Sequence, residues 1–391
     1  MKIGLVLPNV PSYSETFFRN KIVGLQQNGH TVILYVNNSE AESKYHNCTV
    51  VKAPKLNGNK IIVLWNLLLE LLKMIFINPK RSYRLYKFNE KDNVSLVKNF
   101  KSIVSNQFLL TQKLDWLHFG FGTMAIGREN IAEAIQTKMA VSFRGFDYYV
   151  YPLKYKDCYK TLFEKEVKYH VLSEAMKKGL KEKLIPKNKI FKITPAIDIK
   201  LFDCKINKQL NKKIHFTTIS RLHYIKGLDY VLEALSLLKK EGFNFQFTII
   251  GDGAEKERLQ FAAYQLNIID NVNFIGKLAP DQVKEELLKT DIYVQYSLQE
   301  GFCNAVLEAQ CMGLLCIVSD ADGLVENILN EKTGWVVPKR NPILLAKKMK
   351  DIIELSEESK NEIRLNAIER VKKEFNLTEQ KVAFDNFYKD K

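Results

Sequence analysis

At 391 residues, 46% hydrophobic and 26% charged, the chain is long enough for two domains, each burying a core of its own. Six cysteines, at 48, 158, 204, 303, 311 and 316 with no CxxC pair, argue against a zinc site or a disulfide framework and fit a reducing cytoplasm. The formal net charge of +15 belongs to the first half, where residues 1–195 hold 31 Lys/Arg against 15 Asp/Glu while residues 196–391 hold 28 against 29; such asymmetry suits one half to an anionic partner.

In chain order, the apolar run at the start stops at Pro8. It is too short for a signal segment and is expected as a strand, Lys2 to Leu7. A loop through Ser14-Glu15-Thr16 leads into a helix reaching about Asn28 and closed by Gly29, and Thr31 to Val36 is the second strand. Ser14 or Thr16 is either a helix cap or part of a ligand loop. Residues 61–77, IIVLWNLLLELLKMIFI, are the most apolar stretch. Asn66, Glu70 and Lys73 share one helical stripe, and two charges count against a membrane span. Two readings stay open. One is a core-packing helix followed by a solvated basic segment. The other is an interfacial helix with the basic flank Lys80, Arg81, Arg84, Lys87 and Lys91, meeting an anionic membrane through residues 52–113, which hold 12 Lys/Arg against 3 Asp/Glu.

Next, Leu114 to Phe119 is a strand running into Gly120, and Met139 to Phe143 is another, ending in Arg144-Gly145-Phe146-Asp147. Strand ends bearing polar residues and glycine are where open α/β sheets place ligands, although a lone His at such an end, as His118 is, is usually structural. Gly120 to Ala125 also fits a GxGxxA dinucleotide fingerprint, so a nucleotide-dependent oxidoreductase competes. Against it, the fingerprint is not on the first strand, and the following strand ends in Arg144 rather than an acid. Tyr169 to Leu172 is a further strand.

The second half alternates strictly: strand His215–Ile219, helix Leu228–Lys239, strand Phe245–Ile250, helix 254–266, strand Val272–Ile275, helix 280–289. That pattern predicts a parallel sheet covered on both faces. Between the first strand and helix, Arg221 offers a fork of donors and Lys226 a point charge, placed to straddle a diphosphate. A further βαβ unit covers Asp291 to Asp322: strand Ile292–Tyr296, a loop with Glu300-Gly301-Phe302-Cys303, a helix from about Asn304 to Met312, and strand Leu314–Val318. A helix start with free N–H groups is an anion site. Asn304 and Glu308, four apart, point along one face of that helix. Two carboxylates, Glu300 and Glu308, around an anion site suit a ligand with hydroxyls on both sides of its phosphates, as in a nucleotide sugar. Asp320 and Asp322 read either as a metal-binding DxD or as turn chemistry.

Glu300-Gly301-Phe302, Asn304 and Leu307-Glu308-Ala309 resemble the EGFGNVLLEA segment of retaining glycosyltransferases of family 4. Ser220-Arg221-Leu222 with Lys226-Gly227, Gly251-Asp252-Gly253, Phe274 to Leu278 and Gly334 to Pro338 resemble further segments of that family, in the same order. In the first half, His118-Phe119-Gly120 and Gly145-Phe146-Asp147 are similar to its HFG and HGYD segments, with Arg144 in place of the usual His, and the first loop lacks the paired glycines many members carry. Pro195-Ala196-Ile197-Asp198 resembles the family's PNGVD interdomain linker, which places the domains at 1–195 and 196–391, with the last helices expected to pack back toward the first. The resemblance implies the α/β GT-B fold, two facing Rossmann-like domains with the active site in the interdomain cleft. It implies transfer of a sugar, with retention, from a nucleoside diphosphate sugar to a hydroxyl acceptor such as a lipid-linked glycan, in polysaccharide or glycolipid synthesis. His118, which the resemblance places near the donor sugar, is then a catalytic candidate, as are Arg221, Lys226 and Glu300. Gly301, Phe302, Cys303, Asn304, Glu308, Ile275 and Lys277 are the donor-binding ones. No metal or other cofactor is expected, and the location expected is cytoplasmic, peripheral on the inner face of the membrane. A second class stays in view, a basic membrane or nucleic-acid binding module; no nucleic-acid reader motif accompanies the charge.

Overall fold

Runs of consecutive apolar residues bracketed by Gly, Pro or Asn become parallel strands here, because a sheet covered on both faces hides both sides of each strand. The computed structural model describes residues 1–11, 15–38, 41–42, 44–202 and 210–389. It divides into two α/β units, Met1–Ile193 with Lys381–Lys391, and Thr194–Gln380. The boundary thus falls two residues before the expected 195/196, and the chain from Lys381 onward clusters with the first unit.

In the first unit the described residues form an eight-stranded sheet. Its strands are β1 (Lys2–Leu7), β2 (Thr31–Val36), β3 (Lys44–Tyr45), β4 (Cys48–Lys52), β5 (Trp116–Phe119), β6 (Lys138–Ser142), β7 (Val167–Val171) and β8 (Ile190–Lys192), in the order β3-β4-β2-β1-β5-β6-β7-β8. Pairing is parallel except for the β3–β4 hairpin at the edge. The first helix is Thr16–Gln27, entered from Glu15 with no side-chain cap. Thr16 is therefore helical rather than a cap, and Ser14 lies outside the described residues. Phe384, Phe387 and Tyr388, from the final helix Leu377–Lys389, complete a core with Ile3, Leu5, Phe18, Ile22 and Trp116. That apolar face explains why the chain end belongs here.

The apolar stretch forms helix Lys60–Leu72, continued by a π-helical turn, Lys73–Ile77. Only Glu70 is buried in the helix and nothing is buried in the turn, so the core-packing reading is corrected. The polar stripe faces the protein and the apolar one faces out.

The second unit has a six-stranded sheet of β9 (Ile214–Ile219), β10 (Phe245–Ile250), β11 (Val272–Gly276), β12 (Ile292–Gln295), β13 (Leu315–Ser319) and β14 (Trp335–Val337). All pairings are parallel, in the order β11-β10-β9-β12-β13-β14. The chain builds outward from β9 for two strands, then returns to start again at β12. The loops after β9 and β12 therefore diverge at the switch point of a doubly wound sheet, where such folds bind ligands.

Candidate functional site

The sheet register decides what meets at that point. Ile292 and Tyr293 of β12 pair with Phe216 and Thr217 of β9, so the two following loops leave side by side. Leu298 N–H donates to Ile225 O at 2.7 Å, tying them together. Gly227, at φ +62°, lets them touch, since a Cβ there would lie 2.3 Å from Tyr296 O. The result is that Lys226 Nζ donates to Glu300 Oε2, both side chains largely buried. Ser297 Oγ lies 3.3 Å from the same carboxylate oxygen. Beneath Glu300, Gly323 N–H donates to Glu300 O at 3.1 Å, and a Cβ on Gly323 would meet Gly301 O at 2.2 Å.

Helix Asn304–Cys311 starts directly after this loop, from Cys303, without a side-chain cap. Its positive dipole end, which favours an anion, lies beside the Lys226–Glu300 pair. Two features hold the start in place. Asn327 Oδ1 accepts from Cys303 N–H at 3.2 Å and its Nδ2 donates to Cys303 O at 2.9 Å. The Phe302 ring packs against Phe375 with centroids 5.6 Å apart. Burial, then the Glu300 charge, push the Cys303 thiol up to about 12, so it stays protonated and takes no nucleophilic part. Asn304 is half-buried at the first helical position.

Glu308, one turn on, is half-buried, and its carboxyl forms no hydrogen bond or ion pair with any described residue. Desolvation pushes it up to about 7. Although its outer edge still meets solvent, its depth in the helix–loop corner decides its proton affinity. Arg221 is exposed and its guanidinium is likewise unpaired among the described residues. Three of the predicted residues, Lys226, Glu300 and Gly301, are thus in direct contact with one another or with the supporting loop. Arg221, Asn304 and Glu308 stand on the same loops and helix with their polar groups available. Ile275 and Lys277 lie exposed at the end of β11, on the far edge of the sheet order, and Lys277 makes no ion pair among the described residues.

Sequence reasoning missed Asn327 and Ser297, and named Ser220 only as part of a motif. Asn327 is fully buried and far along the chain; only its contacts reveal it. Ser220 Oγ, at the end of β9, is buried with no hydrogen-bond partner. Asp320 and Asp322 brace the loop: Asp320 Oδ1 accepts from Lys339 N–H at 2.9 Å, and Asp322 Oδ2 lies 3.4 Å from Gln299 Nε2. Among the described residues no group of three or more His, Cys, Asp or Glu is placed to hold a metal ion.

His118 differs from its expected role. It is fully buried in β5, and both ring nitrogens are used. Tyr388 Oη lies 2.5 Å from Nδ1, and Ser142 Oγ lies 2.8 Å from Nε2 and 2.8 Å from His170 Nδ1. His170 Nε2 faces Ile193 O at 3.0 Å and must donate there, because a carbonyl only accepts. The whole chain then has one consistent assignment: Tyr388 donates to His118, His118 to Ser142, Ser142 to His170, and His170 to Ile193. Burial first, then the Lys21 charge, hold both histidines well below the ordinary range. Lys21 Nζ itself sits 3.2 Å from His118 Nδ1 and 4.5 Å above the Phe384 ring, held well below the lysine range by burial and then by Arg144. The expectation that His118 reaches a donor sugar is not met by this position; it is a core hydrogen-bond residue. The dinucleotide reading of Gly120 to Ala125 fails on similar grounds. Gly122 N–H donates to Asp147 Oδ2 at 2.6 Å, a Cβ on Gly120 would meet Leu7 at 2.3 Å, and the helix that follows is Gly122–Ala125. These glycines serve packing rather than a pyrophosphate.

With this geometry in view, residues 202–370 match the family model of the glycosyl transferases group 1. The matched stretch lies within the second unit. The chain is 24% identical over 366 residues, 88% of this chain and 89% of the relative, to the amylovoran biosynthesis glycosyltransferase AmsK of Erwinia amylovora. It is 24% identical over 396 residues, 96% of each chain, to the putative colanic acid biosynthesis glycosyltransferase WcaL of Escherichia coli K12. Among solved structures, Anabaena HepE in complex with UDP-glucose superposes with a TM-score of 0.72 at 13% identity, covering 100% of both chains. At that identity the likeness speaks for the fold, which is GT-B.

Proposed function

We propose that the chain moves a sugar from a nucleoside diphosphate sugar to a hydroxyl acceptor, with retention of anomeric configuration, in the synthesis of a polysaccharide. The observation that carries this is the Glu308 carboxyl, recessed yet without a protein partner, one helical turn from an uncapped helix start beside the Lys226–Glu300 pair. A recessed unpaired carboxyl is costly unless a ligand's hydroxyls complete it. Phosphates belong on the helix start, Lys226 and Arg221. Glu308 then accepts from the ribose and Glu300 from the sugar. The names of the relatives, an amylovoran biosynthesis glycosyltransferase and a putative colanic acid biosynthesis glycosyltransferase, support a glycan acceptor, and a fold-mate bound to UDP-glucose supports the donor class.

In the transfer, the bond from the anomeric carbon to the diphosphate oxygen breaks and a bond to the acceptor oxygen forms. The acceptor's proton passes to the departing diphosphate on the same face, so no protein nucleophile is needed. Charge grows on the leaving oxygen, where Lys226, Arg221 and the helix dipole stabilise it. On this reading those cations do the work of a metal, and enzyme treated with EDTA keeps its turnover. Donor binding by Glu308→Gln tests the reading. Loss of a charge-assisted hydrogen bond costs about 1.5–3 kcal/mol, roughly ten- to a hundredfold in affinity. Unchanged affinity in a folded variant removes the ribose assignment.

A further inference from the structure

Helix Lys60–Leu72 with its continuation Lys73–Ile77 is amphipathic in the wrong sense for a protein in water. Its mid-helix polar residues, Asn66 and Glu70, point inward. Asn66 Nδ2 donates to Lys55 O at 2.9 Å, and the buried Glu70 pairs with Lys73 at 2.6 Å. Outward stand Ile61, Leu64, Trp65, Leu68, Ile75 and Phe76, with Ile61 at 79% and Phe76 at 75% exposure. The neighbouring helix Leu96–Ser105, which touches this one, adds exposed Leu96, Val97 and Phe100. Soluble monomers rarely expose a contiguous apolar area of this size without a use for it. No single helix among the described residues is long and apolar enough to cross a membrane, and the next helix, Pro79–Lys91, bends away by 102°.

We propose that this face is a monotopic docking surface for an anionic lipid bilayer, with the apolar helix lying in the interface rather than across it. Charge selects the lipid over a second copy of the chain. Lys60, Lys80, Lys98 and Lys101 are exposed around the apolar side chains and unpaired among the described residues, and residues 52–113 hold 12 Lys/Arg against 3 Asp/Glu. A symmetric dimer through this face would set the same basic surface against itself. An anionic headgroup layer complements it while the acyl boundary takes up the apolar side chains. Trp65, 62% exposed, is suited to the headgroup level, where indole rings concentrate.

The chain contains a built-in reporter. Of its three tryptophans, Trp116 and Trp335 are buried at 3% and 4% exposure, so Trp65 dominates the environment-sensitive emission. The experiment mixes the full chain with phosphatidylcholine vesicles, with and without 30% phosphatidylglycerol (about one lipid in three), at low and high salt. Sedimentation and tryptophan emission are read together, and brominated lipid reports depth. The expected result is co-sedimentation with anionic vesicles, a blue shift, and quenching by bromines near the headgroups. Lys60, Lys80, Lys98 and Lys101→Ser together lower affinity by about fivefold per charge, and high salt does the same. A second variant, Trp65→Ser with Leu68→Ser, lowers it by about tenfold or more, while nucleoside diphosphate release in solution is unchanged. Because all six positions are exposed, both variants fold. Indifference to anionic vesicles at low salt overturns the proposal. So does a lipid-free dimer that Trp65→Ser with Leu68→Ser dissociates.

Discussion

At the scale of single residues, Glu308 and Lys226 carry opposed demands. Burial holds the Glu308 carboxyl near 7, above its ordinary 4.5, so in the folded state it binds protons that the unfolded chain has released. Its contribution is therefore intact below about pH 4.5 and is lost as pH rises through 7. Glu308→Gln should raise thermal stability at pH 8, on the order of 1–3 kcal/mol after allowing for solvent contact, and leave it nearly unchanged at pH 4.5. The same change should weaken donor binding. Melting curves at the two pH values, paired with donor titration, check both halves; equal stabilisation at both pH values contradicts the burial account. Lys226→Ala should cut turnover by two or more orders of magnitude, since it also leaves Glu300 largely buried without its cation. These residues were legible in the sequence because their spacing and the loops around them are local. His118 was not. What makes it a core residue is Lys21, Ser142, His170 and Tyr388, dispersed along the chain and gathered only by the sheet.

At the scale of elements, the second unit was the more readable. Strands buried on both faces leave continuous apolar runs, and the helices between them keep a regular period, so β9 to β13 fall within a residue or two of expectation. Helix Lys60–Leu72 was ambiguous for a physical reason. A stretch apolar on nearly every side does not say which side faces inward, and it is the Asn66 and Glu70 contacts that decide. The helix start at Asn304 depends in turn on Asn327, invisible to any motif. Asn327→Ala should leave the Cys303 amide and carbonyl short of partners, costing about 1–3 kcal/mol. Hydrogen exchange should then show faster opening confined to residues near 302–306. Exchange unchanged there would mean that the Phe302–Phe375 contact alone holds the element.

At the scale of the whole molecule, the two units answer pH with opposite sign. In the first, His118 and His170 are held well below 6.5, so the folded state refuses protons that the unfolded chain accepts. Stability is complete above about pH 6.5 and falls below it, by about 1.4 kcal/mol per pH unit for each histidine until its own folded pKa is reached. Denaturation at pH 7 and pH 5.5 should show the first unit weakening while Glu308 in the second strengthens its own. The same network explains the return of the chain end. Trp116 Nε1 donates to Tyr388 O at 3.0 Å and Tyr388 Oη meets His118, so removing residues 381–391 should unfold the first unit and not the second.

The central claim, that the second unit holds a nucleoside diphosphate sugar through Lys226, Arg221, Glu300 and Glu308, is tested most directly by donor breakdown. Purified chain is incubated with a panel of UDP-, GDP-, ADP- and dTDP-sugars after EDTA treatment, and released nucleoside diphosphate is measured. The account predicts release from at least one donor, lowered about a hundredfold or more by Lys226→Ala when assayed well below that variant's melting temperature. Failure of every donor to shift the melting temperature at millimolar concentration, or release that Lys226→Ala leaves untouched, contradicts it.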